Sequence, residues 1–400
     1  MKYSIMDKGD PEYARRINRG LILDQVRRIE EGVSRSEISR HTKLSKMTVS
    51  TIVSALINEG LVIENGYRRT VSGGGRRPVL LKLNGYAKYI AGIDIGKTNT
   101  TIGIANIKGK IISKLRVPTC PDTTVENVVS QLFGLLQDIM KEVELSEDQL
   151  VGIGVSLPGV IKADKGIVRL SPGLGWKDVQ FRQLLENSTG HKVVINNCTR
   201  LMMLAEKRYG SVKKNRNVFF LNIGYGIGSA FLLNGSVYEH NSEFGHINAT
   251  RERILCHCGN YGCLETVASG YAIEAAAERK FGRKDHGRLT AEKVAQMANE
   301  GNTHAIEIFK RAGTYLGKAI SIVANVLNPE RIVLGGGVSL AGDLLLQPTV
   351  VEYRKHVMPV VRDETSISIS SLGMDSGVLG AIALGLDSII FDTVTFNHLV

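Results

Sequence analysis

Three cysteines within eight residues, Cys256, Cys258 and Cys263, are the densest chemistry in this 400-residue chain. Cys120 and Cys198 stand alone, so the five form no even disulfide framework, and the tight spacing suits thiolates converging on a metal. Gly259 and Gly262 let the loop double back. Three sulfurs with one imidazole make a closed tetrahedral zinc set that needs no water, hence structural rather than hydrolytic. His246 and His257 are both candidates for the imidazole. The latter falls between two ligands, where the loop tends to turn a side chain away.

A second concentration lies at the other end. Residues 1–85 carry 16 Lys and Arg against 9 Asp and Glu, whereas the other 315 residues carry 34 against 30. A small basic module on a nearly balanced body points to nucleic acid at that end.

The elements that must position these residues follow from periodicity. Ile17, Leu21, Ile22, Val26 and Ile29 recur at helical spacing between Glu12 and Glu31, and Gly32 stops the run. A short amphipathic stretch, Arg35 to His41, precedes a third helix from Lys46 to Asn58, with Ser45 as its cap. Lys46, Thr48, Ser50 and Thr51 sit near the exposed start of that helix, where a helix-turn-helix presents side chains to base edges. Leu61 to Glu64 and Val79 to Leu83 read as strands. The loop between them is basic and carries three successive glycines, the composition of a wing. Arg76 and Arg77 can enter a minor groove from it. From Tyr89 the pattern becomes α/β: strands at 89–95, 101–107 and 111–117, a helix at 125–143, and a strand at 151–155. The composition, 43% hydrophobic and 22% charged, is that of a soluble globular protein. No uninterrupted apolar run long enough to span a bilayer is evident, and the first residues lack the apolar core of a secretory signal. The expectation is a cytoplasmic protein with no membrane association.

Four stretches carry a resemblance to the ROK family of sugar kinases and sugar-responsive repressors: Gly92 to Thr98, Leu157-Pro158-Gly159, Glu243-Phe244-Gly245-His246, and Cys256 to Glu265. The segment Ile93 to Asn99, opening a meander of three strands, also resembles the first phosphate loop of actin-like ATPases. The resemblance implies an N-terminal winged helix-turn-helix at 1–85. A two-lobed actin-like, ribonuclease-H-like body follows it, with lobe one at 86–205 completed by a C-terminal helix at 376–400 and lobe two at 206–375. It assigns the fourth zinc ligand to His246. It implies that Asn197, Glu243, His246 and Glu265 contact a sugar, with the turn at Gly159 closing one side.

The family's kinases place a catalytic aspartate after the asparagine that Asn197 matches, and here Cys198 stands in its position. The first phosphate loop has Lys97 between Gly96 and Thr98 where the pattern is Gly-Gly-Thr. Aligning the second, Gly-Thr-Gly, on Asn222-Ile223-Gly224 leaves Ile223 in place of the threonine. Gly335-Gly336-Gly337, near the nucleoside position, is intact. The expectation is a regulator with lost catalysis that binds operator DNA and a small-molecule sugar effector as a homodimer or higher oligomer. The alternative is an active ATP-dependent sugar kinase with an appended DNA-binding domain.

Overall fold

A computed structural model describes residues 11–67, 77–240, 242–282 and 289–391. Arg76 and most of the expected wing therefore lie outside the described residues. The N-terminal module is α1 (Pro11–Arg28), α2 (Arg35–Thr42) and α3 (Lys46–Asn58), followed by the antiparallel pair β1 (Val62–Tyr67) and β2 (Val79–Leu83). Its helix starts are set by local chemistry. The Ser34 hydroxyl accepts the Glu37 amide while the Glu37 carboxylate accepts the Ser34 amide, and Ser45 accepts the Thr48 amide.

The next segment builds the first body sheet. It comprises β3 (Tyr89–Ile95), β4 (Asn99–Asn106) and β5 (Ile111–Pro118), then α4 (Val125–Glu142) and β6 (Leu150–Leu157). A small meander of β7 (Val160–Lys162), β8 (Ile167–Ser171) and β9 (Trp176–Val179) leads to α5 (Phe181–Thr189), β10 (Val193–Asn197) and α6 (Cys198–Arg208). The order is β10-β6-β3-β4-β5, parallel across β10, β6 and β3 and antiparallel beyond.

The second sheet uses β11 (Val218–Ile223), β12 (Ile227–Leu233) and β13 (Ser236–Val237). After the cysteine loop come α7 (Glu265–Ala268), α8 (Gly270–Phe281), α9 (Ala291–Asn299) and α10 (Thr303–Leu327). Then β14 (Arg331–Gly335), α11 (Asp343–His356), α12 (Pro359–Glu364) and β15 (Ser366–Ile369) complete the order β13-β12-β11-β14-β15. Each sheet has its own buried core, one including Ile93, Val155 and Phe181, the other Phe219, Phe309 and Leu334.

The last helix, α13 (Ser376–Gly385), joins these parts. It runs on as a wider turn to Ile390, and residues 392–400 lie outside the description, so the expected helix to residue 400 is shown only to Ile390. Gly373–Ile390 is long and apolar enough by composition to cross a membrane, but 56% of it is buried inside the protein. Small residues explain both properties. A Cβ on Gly380 would meet the Leu201 carbonyl oxygen at 2.1 Å, and one on Gly154 the Ala381 carbonyl oxygen at 1.9 Å, so backbone packs on backbone. On its far side α13 shares a third core with the N-terminal module, in which Ile22, Leu23 and Val26 pack with Ile382, Leu386 and Phe391. Asp387 is bonded there by Arg27, at 3.1 Å, and by Arg208 at the end of α6. Arg27 also lies over the Phe391 ring at 4.6 Å.

Two glycines separate packing from propensity. Gly154→Ala should destabilise the protein by at least about 2 kcal/mol, because the added methyl overpacks a backbone contact. Gly134→Ala, inside α4 with nothing near its would-be Cβ, should stabilise it by up to about 1 kcal/mol. Equilibrium urea denaturation reads both.

Candidate functional site

The cysteine loop closes on itself through short pairings, Leu255 with Tyr261 and Asn248 with Cys263. Gly259 and Gly262 adopt φ of +91° and +73°, and a Cβ at Gly262 would meet the Thr250 carbonyl oxygen at 2.4 Å. The donor atoms of His246, Cys256, Cys258 and Cys263 then all lie within 4.8 Å of one another. The Cys258 and Cys263 sulfurs are 3.7 Å apart, and the Cys256 sulfur is 3.6 Å from His246 Nδ1. A tetrahedral ion with thiolate bonds of about 2.3 Å requires edges of about 3.8 Å, so the set fits a thiophilic divalent metal. His257 is exposed and outside the cluster, its ring against Tyr225 and Tyr271.

His246 ends a single helical turn that begins after Glu243, and its Gly245 packs with no room for a Cβ, which would meet the Ile227 carbonyl oxygen at 2.2 Å. Glu243 therefore stands beside His246. Burial raises its pKa, His246 lowers it, Glu265 raises it and Arg200 lowers it. Glu265 opens α7, and its carboxylate accepts the Ile227 amide at 2.7 Å.

The remaining expected sugar contacts, Gly159 and Asn197, belong to the first sheet. Gly159 follows β6 with φ +105°, against the Leu170 carbonyl. Asn197 ends β10 and caps α6, its oxygen accepting the Thr199 and Arg200 amides at 3.0 and 3.2 Å and its amide donating to the Gly159 carbonyl at 2.8 Å. With both oxygen lone pairs engaged, Asn197 keeps one N–H for a ligand and otherwise fixes the turn to the helix.

Cys198 is the first residue of α6. Burial, followed by the Asp94 charge, pushes its thiol up to about 12, so it stays neutral. Asp94 accepts a hydrogen bond from Ser156, and its own pKa is raised by burial. Lys97 is exposed in the turn between β3 and β4, beside Gly173. The second loop requires a correction. Ile223 is fully buried, ends β11 and pairs with Ile227, so the turn is Gly224-Tyr225-Gly226 and Tyr225 stands where the pattern has threonine. Gly335 and Gly336 meet packing limits, against the Phe220 ring and the Ile223 carbonyl, and only Gly337 is open.

On the N-terminal module Lys46, Ser50 and Thr51 are exposed, while the Thr48 hydroxyl is bonded to Ser45 at 2.8 Å. Arg77 is exposed; Arg76 lies outside the described residues. Sequence reasoning missed Met47, 79% exposed at the head of α3, and Arg200, one turn after Asn197 and paired in charge with Glu239 and Glu243.

Residues 90–388 match the ROK family. The chain belongs to that family. A xylose repressor of Caldicellulosiruptor bescii is 28% identical over 403 residues, covering 97% of this chain and 99% of that protein. A glucokinase of Halalkalibacterium halodurans is 32% identical over 308 residues, covering 73% of this chain and 93% of the kinase. A solved ROK transcriptional regulator, a homologue of the E. coli MLC protein, superposes with a TM-score of 0.81 at 25% identity, over 96% of this chain and 98% of that one. Kinase and regulator thus share the body, and the regulators extend along nearly the whole chain.

The donor geometry predicts one thiophilic divalent ion per chain. Elemental analysis of the purified protein should find one equivalent and Cys258→Ser should lower it severalfold; metal-free protein would refute the centre.

Proposed function

We propose that the chain is a sugar-responsive DNA-binding transcriptional regulator, a repressor of carbohydrate-utilisation genes, whose kinase-like body binds a sugar and transfers no phosphate. The observation that carries this reading is the shared core between the helix-turn-helix and α13, because a module packed into the body can respond to its lobes. Division at 1–85, 86–205 with 376–400, and 206–375 belongs to the same proposal.

In this reading a sugar sits between Gly159 and Asn197 on one wall and Glu243, His246 and Glu265 on the other. Carboxylates accept hydroxyl protons, and the remaining Asn197 N–H donates. Arg200, on α6, faces Glu243 across the cleft and draws the walls together. Zinc held by His246, Cys256, Cys258 and Cys263 has a structural role, fixing the loop that carries these groups and orienting the His246 ring through Nδ1. Closure reaches the DNA module along α6, whose first turn is capped by Asn197 and whose last residue, Arg208, holds the Asp387 that Arg27 also holds. Sugar must bind one arrangement better than the other for this to shift operator affinity. Lys46, Thr48, Ser50 and Thr51 would face base edges, with Met47 suited to a thymine methyl, and Arg76 and Arg77 would reach the minor groove. Paired half-sites call for a dimer.

The specific observation favouring an active kinase is the assembled trio Glu243, His246 and Glu265. Against it, a neutral Cys198 thiol cannot take the hydroxyl proton, and the bulky Tyr225 replaces the threonine of the second loop. Thermal-shift screening over hexoses, pentoses and polyols should find a stabilising sugar. With ATP and magnesium that sugar should give no ADP above the rate without protein; robust turnover would establish the kinase instead.

A further inference from the structure

Tyr271 is the second residue of α8, which follows the cysteine loop and α7, and two backbone bonds fix its position. The Gly270 amide donates to the Gly224 carbonyl at 2.8 Å and the Tyr271 amide to the Tyr225 carbonyl at 3.2 Å. Gly270 has no alternative, since a Cβ there would meet the Gly224 carbonyl oxygen at 2.7 Å. The Tyr271 ring is held between neighbours, 4.7 Å from the His257 ring and 5.7 Å from the Tyr225 ring. So the ring is located by the loop on one side and by the β11–β12 turn on the other.

Its hydroxyl is then carried inward. The oxygen is buried and has no hydrogen-bond partner among the described residues. Cys256 and Glu265 are among the groups it faces, and a tyrosine hydroxyl is a donor at neutral pH. A buried O–H without an acceptor is destabilising. A neutral thiol accepts weakly, whereas a metal-bound thiolate accepts well.

We propose that the Tyr271 hydroxyl is a hydrogen-bond donor to the Cys256 thiolate of the metal centre, a positioning residue that completes the site when metal binds. This rests on the metal reading above. Three thiolates on a divalent ion leave one net negative charge, close to the Glu265 carboxylate. A donor to Cys256 draws density from the sulfur, lessening its repulsion of Glu265, whose carboxylate is held on the Ile227 amide. The same side chain ties metal occupancy to the Gly224-Tyr225-Gly226 turn through its backbone bond to Tyr225.

Tyr271→Phe keeps the ring and removes only the donor. The variant should bind one metal and release zinc to a chromophoric chelator about tenfold faster than wild type. With cobalt(II) in place of zinc, its thiolate-to-metal charge-transfer band should move to longer wavelength, because an unbonded sulfur lone pair lies higher in energy. Tyr353→Phe, which removes another buried unpartnered hydroxyl on α11, should change neither. Unchanged release and an unchanged band in metal-loaded Tyr271→Phe would overturn this proposal alone. Metal-free wild-type protein would overturn the metal reading and this proposal with it. Should Tyr271→Phe fail to fold, the cadmium-113 form of the wild type decides: a slowly exchanging hydroxyl proton coupled to cadmium supports the proposal, and its absence overturns it.

Discussion

Asp387 is gripped from two directions, by Arg27 of the N-terminal module and by Arg208 at the end of α6, the helix that Asn197 caps. A largely desolvated carboxylate is costly unless its charge is matched, and removing one partner of such a pair is destabilising because it leaves the other charge uncompensated. That cost makes the position of α13 depend on α1 and α6 at once. The Phe391 ring beneath Arg27 and the apolar contacts of Ile382 and Leu386 reinforce the dependence. Without this junction the protein would be a sugar-binding body and a DNA-binding module on one chain, with no physical reason for either to respond to the other.

Elements whose signals are local were legible in the sequence. The third helix ran from Lys46 to Asn58 as its period required, and Ser45 capped it, because cap and periodicity act within one turn. The β3 strand was equally plain at Tyr89–Ile95. The second loop was misplaced because its register is not local: Asn222-Ile223-Gly224 and Gly224-Tyr225-Gly226 both contain a glycine in the right place, and only pairing of Ile223 with Ile227 decides between them. For the metal cluster, spacing supplied three cysteines but left two histidines, and convergence of His246 depends on the turn after Glu243 rather than on the cysteine loop. Arg200 and Tyr271 were invisible for the same reason. Their partners, Glu243 and Cys256, are distant in sequence and meet them only after folding.

On the proposed reading, the contrast with a kinase is one of charge and not of shape. The cleft keeps two carboxylates beside a histidine on one wall and an asparagine-capped helix on the other, an arrangement able to hold hydroxyl groups. At the position of the family kinases' catalytic aspartate stands Cys198, whose thiol is held neutral by burial and by Asp94. On the function proposed above, binding free energy that a kinase would spend on positioning a phosphoryl acceptor favours one lobe arrangement over another, the quantity a ligand-responsive regulator requires.

That quantity is reciprocal, so it can be read from either ligand. The decisive measurement is isothermal titration of the effector sugar into the protein alone and into its complex with operator DNA, alongside operator titrations with and without sugar, all at one salt concentration. The account predicts that sugar affinity changes by the same factor, at least about fivefold, by which sugar changes operator affinity. Equal sugar affinity for free and DNA-bound protein would contradict it, leaving two sites that share a chain and nothing more.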